Sequence, residues 1–349
     1  MRIKAFITHK DKERFSDCQD RFRVNKDTKS IALADGMSQS IFQKIWAQLL
    51  VDNYTSIEQW EPTIGSVREL APQWHEQVME IIPSLMPAAQ RRSRNSLAMG
   101  MSAGSTFVGI RFNEHKWEGW VLGDSCLIVV DKDNKIVKIE TSQKGQFDSH
   151  PDYFDSNPNK EGKGQPKIIS GKLQQGCKLL LVSDPFSDIL YDKQGSEKEK
   201  DLISELIAIE SHETFETVVA KWREQGMHND DSTLVVVEYD ETNDFHVVYE
   251  DCIDAFIEME KQQDTSSSPA EITNVDNMET ENIPEAETEE DLVDEECKTL
   301  KEYLSDVANT FIDKLPKDIS SKRKKSNIKK QFYSLLERAL DSYYKISKK

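Results

Sequence analysis

The order of elements along this chain predicts an α+β domain of packed layers, and three observations carry that expectation. Strand-like runs open and close the region before residue 250, and helical runs lie between them in blocks. Regular strand–helix–strand alternation is missing, which disfavours a doubly wound parallel sheet. Apolar runs also end on aspartates, most clearly at Ser30–Ser38, where Ile31–Ala34 leads into Asp35-Gly36 and a helical pattern follows at once. A strand, an acid and a tight turn together present a carboxylate and a bare backbone carbonyl at the rim of a sheet.

The elements follow in order. Residues 2–8 and 21–25 alternate as strands around the polar segment Lys10–Gln19, and Asp20 opens the second of them. Ile31–Ala34 is short and apolar, the mark of a buried strand. Ile41, Phe42, Ile45, Trp46, Leu49 and Leu50 recur at helical spacing, with Ser38 as the expected N-cap and the aromatic stripe facing a sheet. Residues 56–99 read as helix, including Val67–Leu70 and Trp74–Ile82, broken by Pro62, Pro72, Pro83 and Pro87. Arg91-Arg92-Ser93-Arg94 reads as a solvated helix face in preference to a phosphate contact.

Ser105–Phe112, Trp117–Leu122, Cys126–Asp131 and Ile136–Glu140 are successive β-rich runs, with a hairpin turn at Asp131–Asn134. Residues 142–166 read as a long surface loop. Strands return at Lys167–Ile169 and Lys178–Val182, the latter ending in Ser183-Asp184. Helical periodicity covers Glu197–Ile209 and Thr214–Trp222. The turn His228–Ser232, which includes Asp230, leads into the strand Thr233–Tyr239, and Phe245–Tyr249 is a further strand.

The formal charge of −18 divides as −13 over residues 1–261, −13 over 262–296 and +8 over 297–349. So acidic a chain is not a general nucleic-acid binder. Its five cysteines form no CxxC pair, no apolar run approaches the roughly 20 residues of a membrane span, and Met1–Lys4 has no secretory pattern. A soluble protein of the reducing cytoplasm is expected. Residues 262–296 hold thirteen acids and no Lys or Arg, a composition that disfavours a packed core. Leu300–Leu315 and Ile328–Tyr344 read as two amphipathic helices joined by Ser321–Lys325, too little core to stand alone. The expected organisation is a domain over 1–255, an acidic disordered linker over 256–297 and a basic helical hairpin over 298–349 for targeting or regulation. Solvated basic helix is the default for Lys322–Lys330, with an acidic protein surface, the chain's own linker or nucleic acid as other contacts.

Several carboxylates at the ends of separate strands suggest a site for a hard divalent metal. Each aspartate alone is equally a turn cap. Set in order, Asp20, Ala34–Met37, Gly104–Thr106, Gly123–Ser125, Leu181–Asp184 and Asp230–Thr233 resemble the motifs of the type 2C metal-dependent serine/threonine protein phosphatases, as a divergent, bacterial-like member. The resemblance covers about residues 1–250. It implies a four-layer α-β-β-α sandwich of two antiparallel sheets flanked by helices. It also implies two Mn²⁺ or Mg²⁺ ions, with Asp35 bridging, Gly36 giving a backbone carbonyl, Asp184 and Asp230 as ligands and Asp20 near the other ion. Asp124 resembles the acid that helps hold a third, weaker ion. An activated water would then hydrolyse phosphoserine or phosphothreonine of a phosphoprotein, with no protein nucleophile.

The chain departs from the family pattern around these ligands. Gln19 stands where an acid is usual, and the arginine that grips phosphate falls on Phe15, leaving Arg14 or Lys12 as substitutes. Ser38-Gln39 replaces a glycine pair, Pro185 replaces the glycine after Ser-Asp, and Cys126 replaces an arginine. The metal ligands are spared and the phosphate contacts are not. The reading is therefore a metal-dependent phosphatase; the alternative is a weakly active or silent phosphatase-like module that binds a partner.

Overall fold

The structure is a computed structural model that describes residues 1–143, 151–160, 162–242 and 244–266. The acidic linker beyond residue 266 and the C-terminal hairpin lie outside the described residues. The strands are β1 (Arg2–Thr8), β2 (Arg21–Asn25), β3 (Ser30–Ala34), β4 (Gly104–Ser105), β5 (Phe107–Asn113), β6 (Lys116–Leu122), β7 (Cys126–Val130), β8 (Ile136–Glu140), β9 (Phe154–Asp155), β10 (Lys167–Lys172), β11 (Lys178–Val182), β12 (Ser232–Glu238) and β13 (His246–Glu250). The helices are α1 (Gln43–Ser56), α2 (Ile64–Arg68), α3 (Ala71–Ile81), α4 (Pro87–Ala98), α5 (Asp184–Lys193), α6 (Glu199–Ile207), α7 (His212–Glu224) and α8 (Ile253–Ser266).

One sheet has the order β13-β1-β12-β11-β7-β8 and the other β10-β6-β5-β3-β2. Strand alternation decides which layers form. In β11, Leu179 and Leu181 point between the sheets with Val235 and Val237 of β12, while Leu180 and Val182 point outward with Leu234 and Val236. The outward set packs on Phe186 of α5, Ile203 and Leu206 of α6, and Phe215 and Trp222 of α7. On the other side, Ala32 and Phe107 pack against Trp46, Leu50 and Tyr54 of α1 and Trp74 and Val78 of α3. Three apolar seams thus separate four layers, the expected α-β-β-α sandwich. All ladders are antiparallel save β1–β13, which is parallel.

Several local expectations are corrected. Ser38 does not cap α1; the helix begins at Gln43 after Phe42, which holds a left-handed φ of 51°, and the Ser38 hydroxyl is engaged elsewhere. The segment 142–166 is not all loop, because Phe154–Asp155 pairs with Gly104–Ser105. Pro185 causes no conflict: it sits in the first turn of α5, where proline's missing N–H and fixed φ are tolerated. A helix over residues 184–193 goes unread in the sequence, as does α8, whose Ile253–Ser266 span makes helix of residues expected to open the linker over 256–297.

Strand β6 approaches β5 so closely that a Cβ on Gly119 would lie 2.0 Å from the Gly109 carbonyl oxygen. Gly119→Ala is therefore expected to lose about 1–3 kcal/mol through forced backbone movement. Gly65→Ala, where the nearest atom lies 3.8 Å away, should be neutral or slightly stabilising. Thermal unfolding of the two variants checks the contrast.

Candidate metal centre

Fully buried β3 delivers Asp35 to the rim of the five-stranded sheet. Its carbonyl accepts from Ser105 Oγ at 2.8 Å and from the Thr106 N–H at 2.9 Å. The Met37 N–H donates to the Gly104 carbonyl at 3.0 Å. Gly36 is needed here for close approach, since a Cβ would stand 2.9 Å from the Gln19 carbonyl and 3.0 Å from Gln43 Cβ. The Asp35 corner and the Gln19-Asp20 segment are thereby pressed together.

Asp20 is wholly buried before β2. Its Oδ2 accepts from Thr233 Oγ1 at 2.7 Å, whereas its Oδ1 is buried with no hydrogen-bond partner among the described residues. Asp184 begins α5. Behind it the Ser183 hydroxyl accepts from the Thr233 N–H at 2.9 Å, tying the ends of β11 and β12. Asp124 is buried after Gly123, whose φ of 92° suits glycine alone. Asp230 precedes β12, and its carbonyl accepts from the Arg223 guanidinium at 2.7 Å.

The structure thus brings Asp20, Asp35, Asp124, Asp184 and Asp230 to one cleft, where they face one another as like charges. Burial, then repulsion from Asp184, Asp124, Asp230 and Asp231, pushes the Asp35 carboxyl well above the usual range. Burial followed by Asp124, Asp230 and Asp20 does the same to Asp184. Burial with Asp35 and Asp231 raises Asp20, against the opposing hydrogen bond from Thr233. Among the described residues no group of three or more Asp, Glu, Cys or His side chains is placed to hold a metal ion as it stands; the acids are mutually repelling neighbours around the cleft. A buried carboxylate oxygen without a partner costs about 1–3 kcal/mol. The chemistry of this all-oxygen set fits a hard divalent cation.

Two residues unassigned in the sequence complete the centre. Asp231, 1 % exposed, accepts from the backbone N–H of Lys10 at 3.0 Å and of Gln19 at 2.7 Å, one through each carboxylate oxygen. One side chain therefore closes the loop of residues 10–19. Lys10 sends its ammonium to Asp230 Oδ1 at 3.1 Å and Ser38 Oγ at 3.0 Å. Ser38 Oγ in turn donates to Gln19 Oε1 at 3.0 Å. The signal for Asp231 was present as the doubled acid Asp230-Asp231; Lys10 carries none beyond following a strand end.

Arg14 is exposed on the same loop, as is Lys12. Phe15 is buried, with its ring 4.6 Å from Phe256 of α8 and 4.6 Å from His9. Glu260 of α8 accepts from the Phe15 N–H at 2.9 Å and the Ser16 N–H at 3.4 Å. The position that carries an arginine in the family pattern is here an anchor for the last described helix.

A sequence model of the protein phosphatase 2C family matches residues 11–231, and the chain belongs to that family. No curated protein sequence matches it. Among solved structures it is similar to the photosystem II phosphatase PBCP, with 13 % identity, a TM-score of 0.46, and coverage of 69 % of this chain and 99 % of that one. The catalytic domain of the serine/threonine phosphatase PstP, solved with two manganese ions, shows 17 % identity and a TM-score of 0.43 over 67 % and 96 % of the two chains. PppA of Pseudomonas aeruginosa shows 17 % identity and a TM-score of 0.44 over 68 % and 97 %.

The raised carboxyls set a pH dependence for the metal-free protein. Asp20, Asp35 and Asp184 hold their protons to higher pH when folded than when unfolded. The folded chain binds more protons above the unfolded value of roughly pH 4, so stability falls as pH rises through that window toward the raised values. Chelator-treated protein is expected to show a lower denaturation midpoint at pH 7.5 than at pH 5, measured by urea unfolding.

Proposed function

We propose that this protein is a Mn²⁺- or Mg²⁺-dependent phosphatase acting on phosphoserine and phosphothreonine in proteins. The observation that carries the reading is the buried, unpartnered Oδ1 of Asp20 among carboxylates crowded into one cleft. Asp35, Asp20, Asp184 and Asp230 with the Gly36 carbonyl would hold two ions, and Asp124 would help hold a third. Ions bound there would supply an activated water near neutral pH and neutralise phosphoryl charge. The chain's own residues position these ligands. Thr233 orients Asp20, Ser105 and Thr106 fix the Asp35 corner, and Asp231 holds the loop that closes the cleft.

Within this reading, residues 1–255 with the rest of α8 form the catalytic body. The acidic segment beyond α8, the remainder of the 256–297 linker, is a tether, and the basic hairpin over 298–349 engages a targeting or regulatory protein partner. No helix among the described residues is long and apolar enough to cross a membrane, and Cys18, Cys126, Cys177 and Cys252 are free thiols; both support a cytoplasmic setting. The observation favouring a silent phosphatase-like module is the Lys10–Asp230 ion pair beside Gln19.

Hydrolysis of p-nitrophenyl phosphate and of a phosphothreonine peptide should require Mn²⁺ and stop on chelation. Asp35→Asn should cost a hundredfold or more, on the order of losing one group that stabilises transition-state charge. Wild-type protein that binds no Mn²⁺ by calorimetry would overturn the metal site and the enzyme together. Metal binding with turnover of neither substrate would select the silent module.

A further inference from the structure

Two departures from the family pattern, Gln19 and Ser38, are bonded to each other, and Ser38 also meets the Lys10 ammonium. The Lys10 backbone is pinned by Asp231, so its side chain starts from a fixed point and crosses to the Asp35 corner. Its ammonium, on a side chain only 15 % exposed, touches Ser38 Oγ and Asp230 Oδ1. An ammonium carries three donors, and these contacts use two. The neighbouring guanidinium groups are spent on other oxygens. Arg21 donates to the Cys18 and Asp20 carbonyls, and Arg223 to the His9 and Asp230 carbonyls and Ser232 Oγ. Lys10 forms a direct ion pair with a carboxylate of this cleft, at 3.1 Å from Asp230 Oδ1.

Gln19 explains why the ammonium is available. A carboxylate there would take Lys10 as its own counter-ion and would repel a phosphate dianion. The amide does neither, and its oxygen is occupied by Ser38.

We infer that Lys10, steered by Ser38 and Gln19, is the subsite that grips the phosphoryl oxygens of a phosphate monoester, in place of the arginine position now filled by Phe15. The inference rests on the phosphatase reading for its substrate class. As the phosphate enters, the ammonium turns from Asp230 to the phosphoryl oxygens, which frees that carboxylate for a cation. Arg14 and Lys12 are then dispensable for phosphate affinity.

The test uses the full chain with Mn²⁺ and inorganic phosphate as the calorimetric probe. Lys10→Met should weaken phosphate binding about tenfold or more, the scale of one charge-assisted hydrogen bond. It should raise KM for p-nitrophenyl phosphate by a similar factor while kcat changes little. Mn²⁺ affinity should hold or rise, because Asp230 loses a competing cation. Lys10→Arg should keep phosphate binding near the wild-type value, and Gln19→Glu should weaken it. Unchanged phosphate affinity in Lys10→Met overturns the inference, as does joint loss of phosphate binding, Mn²⁺ binding and thermal stability, which marks a structural ion pair. Wild-type protein that binds phosphate through Lys10 yet hydrolyses nothing keeps the subsite and removes the enzyme.

Discussion

Carboxylates crowded against one another, with Asp20 and Asp124 buried among them, are the constraint on which the rest of this architecture turns. Asp20, Asp35 and Asp184 come from three separate segments and two sheets, and each is pushed toward its neutral form by burial and by the others. The sandwich holds them together, because its apolar seams fix the strand ends from which the acids project. Small hydroxyl residues complete the support. Ser183, Thr233, Ser105 and Thr106 tie one strand end to the next and leave carboxylate oxygens facing the cleft.

The parts legible in the sequence were those with short-range signals. Alternation and apolar runs located the strands, and aspartates at run ends marked the rim. The long helices showed their 3.6-residue period. What escaped was decided by contacts between residues far apart in the chain. Lys10 and Asp231 are 221 positions apart, and no local pattern links a lysine after one strand to a buried acid before another. Ser38 looked like a helix cap because the sequence hides the left-handed turn at Phe42. Pro185 reads only as a departure from the glycine of the family pattern, because the helix whose first turn it occupies carries no clear period in the sequence. Phe15 read as a missing arginine; only its partners, Phe256 and His9, show what it does instead.

The loop of residues 10–19 joins these strands of argument. Asp231 clasps its two ends and Glu260 caps its middle, while Lys44 Nζ donates to the Ser16 carbonyl at 2.9 Å. Loops normally owe their positions to their own turns. This one has turns of its own and is also fastened from outside by the residue before a strand and by two helices.

That arrangement has a practical bearing on how the protein is dissected. The phosphatase-like match ends at residue 231, and a cut placed just after the last strand would look safe. It would remove Phe256 and Glu260, strand Phe15 in water and untie the backbone of residues 15 and 16. The smallest fragment that keeps its cleft wall intact therefore runs through Glu260.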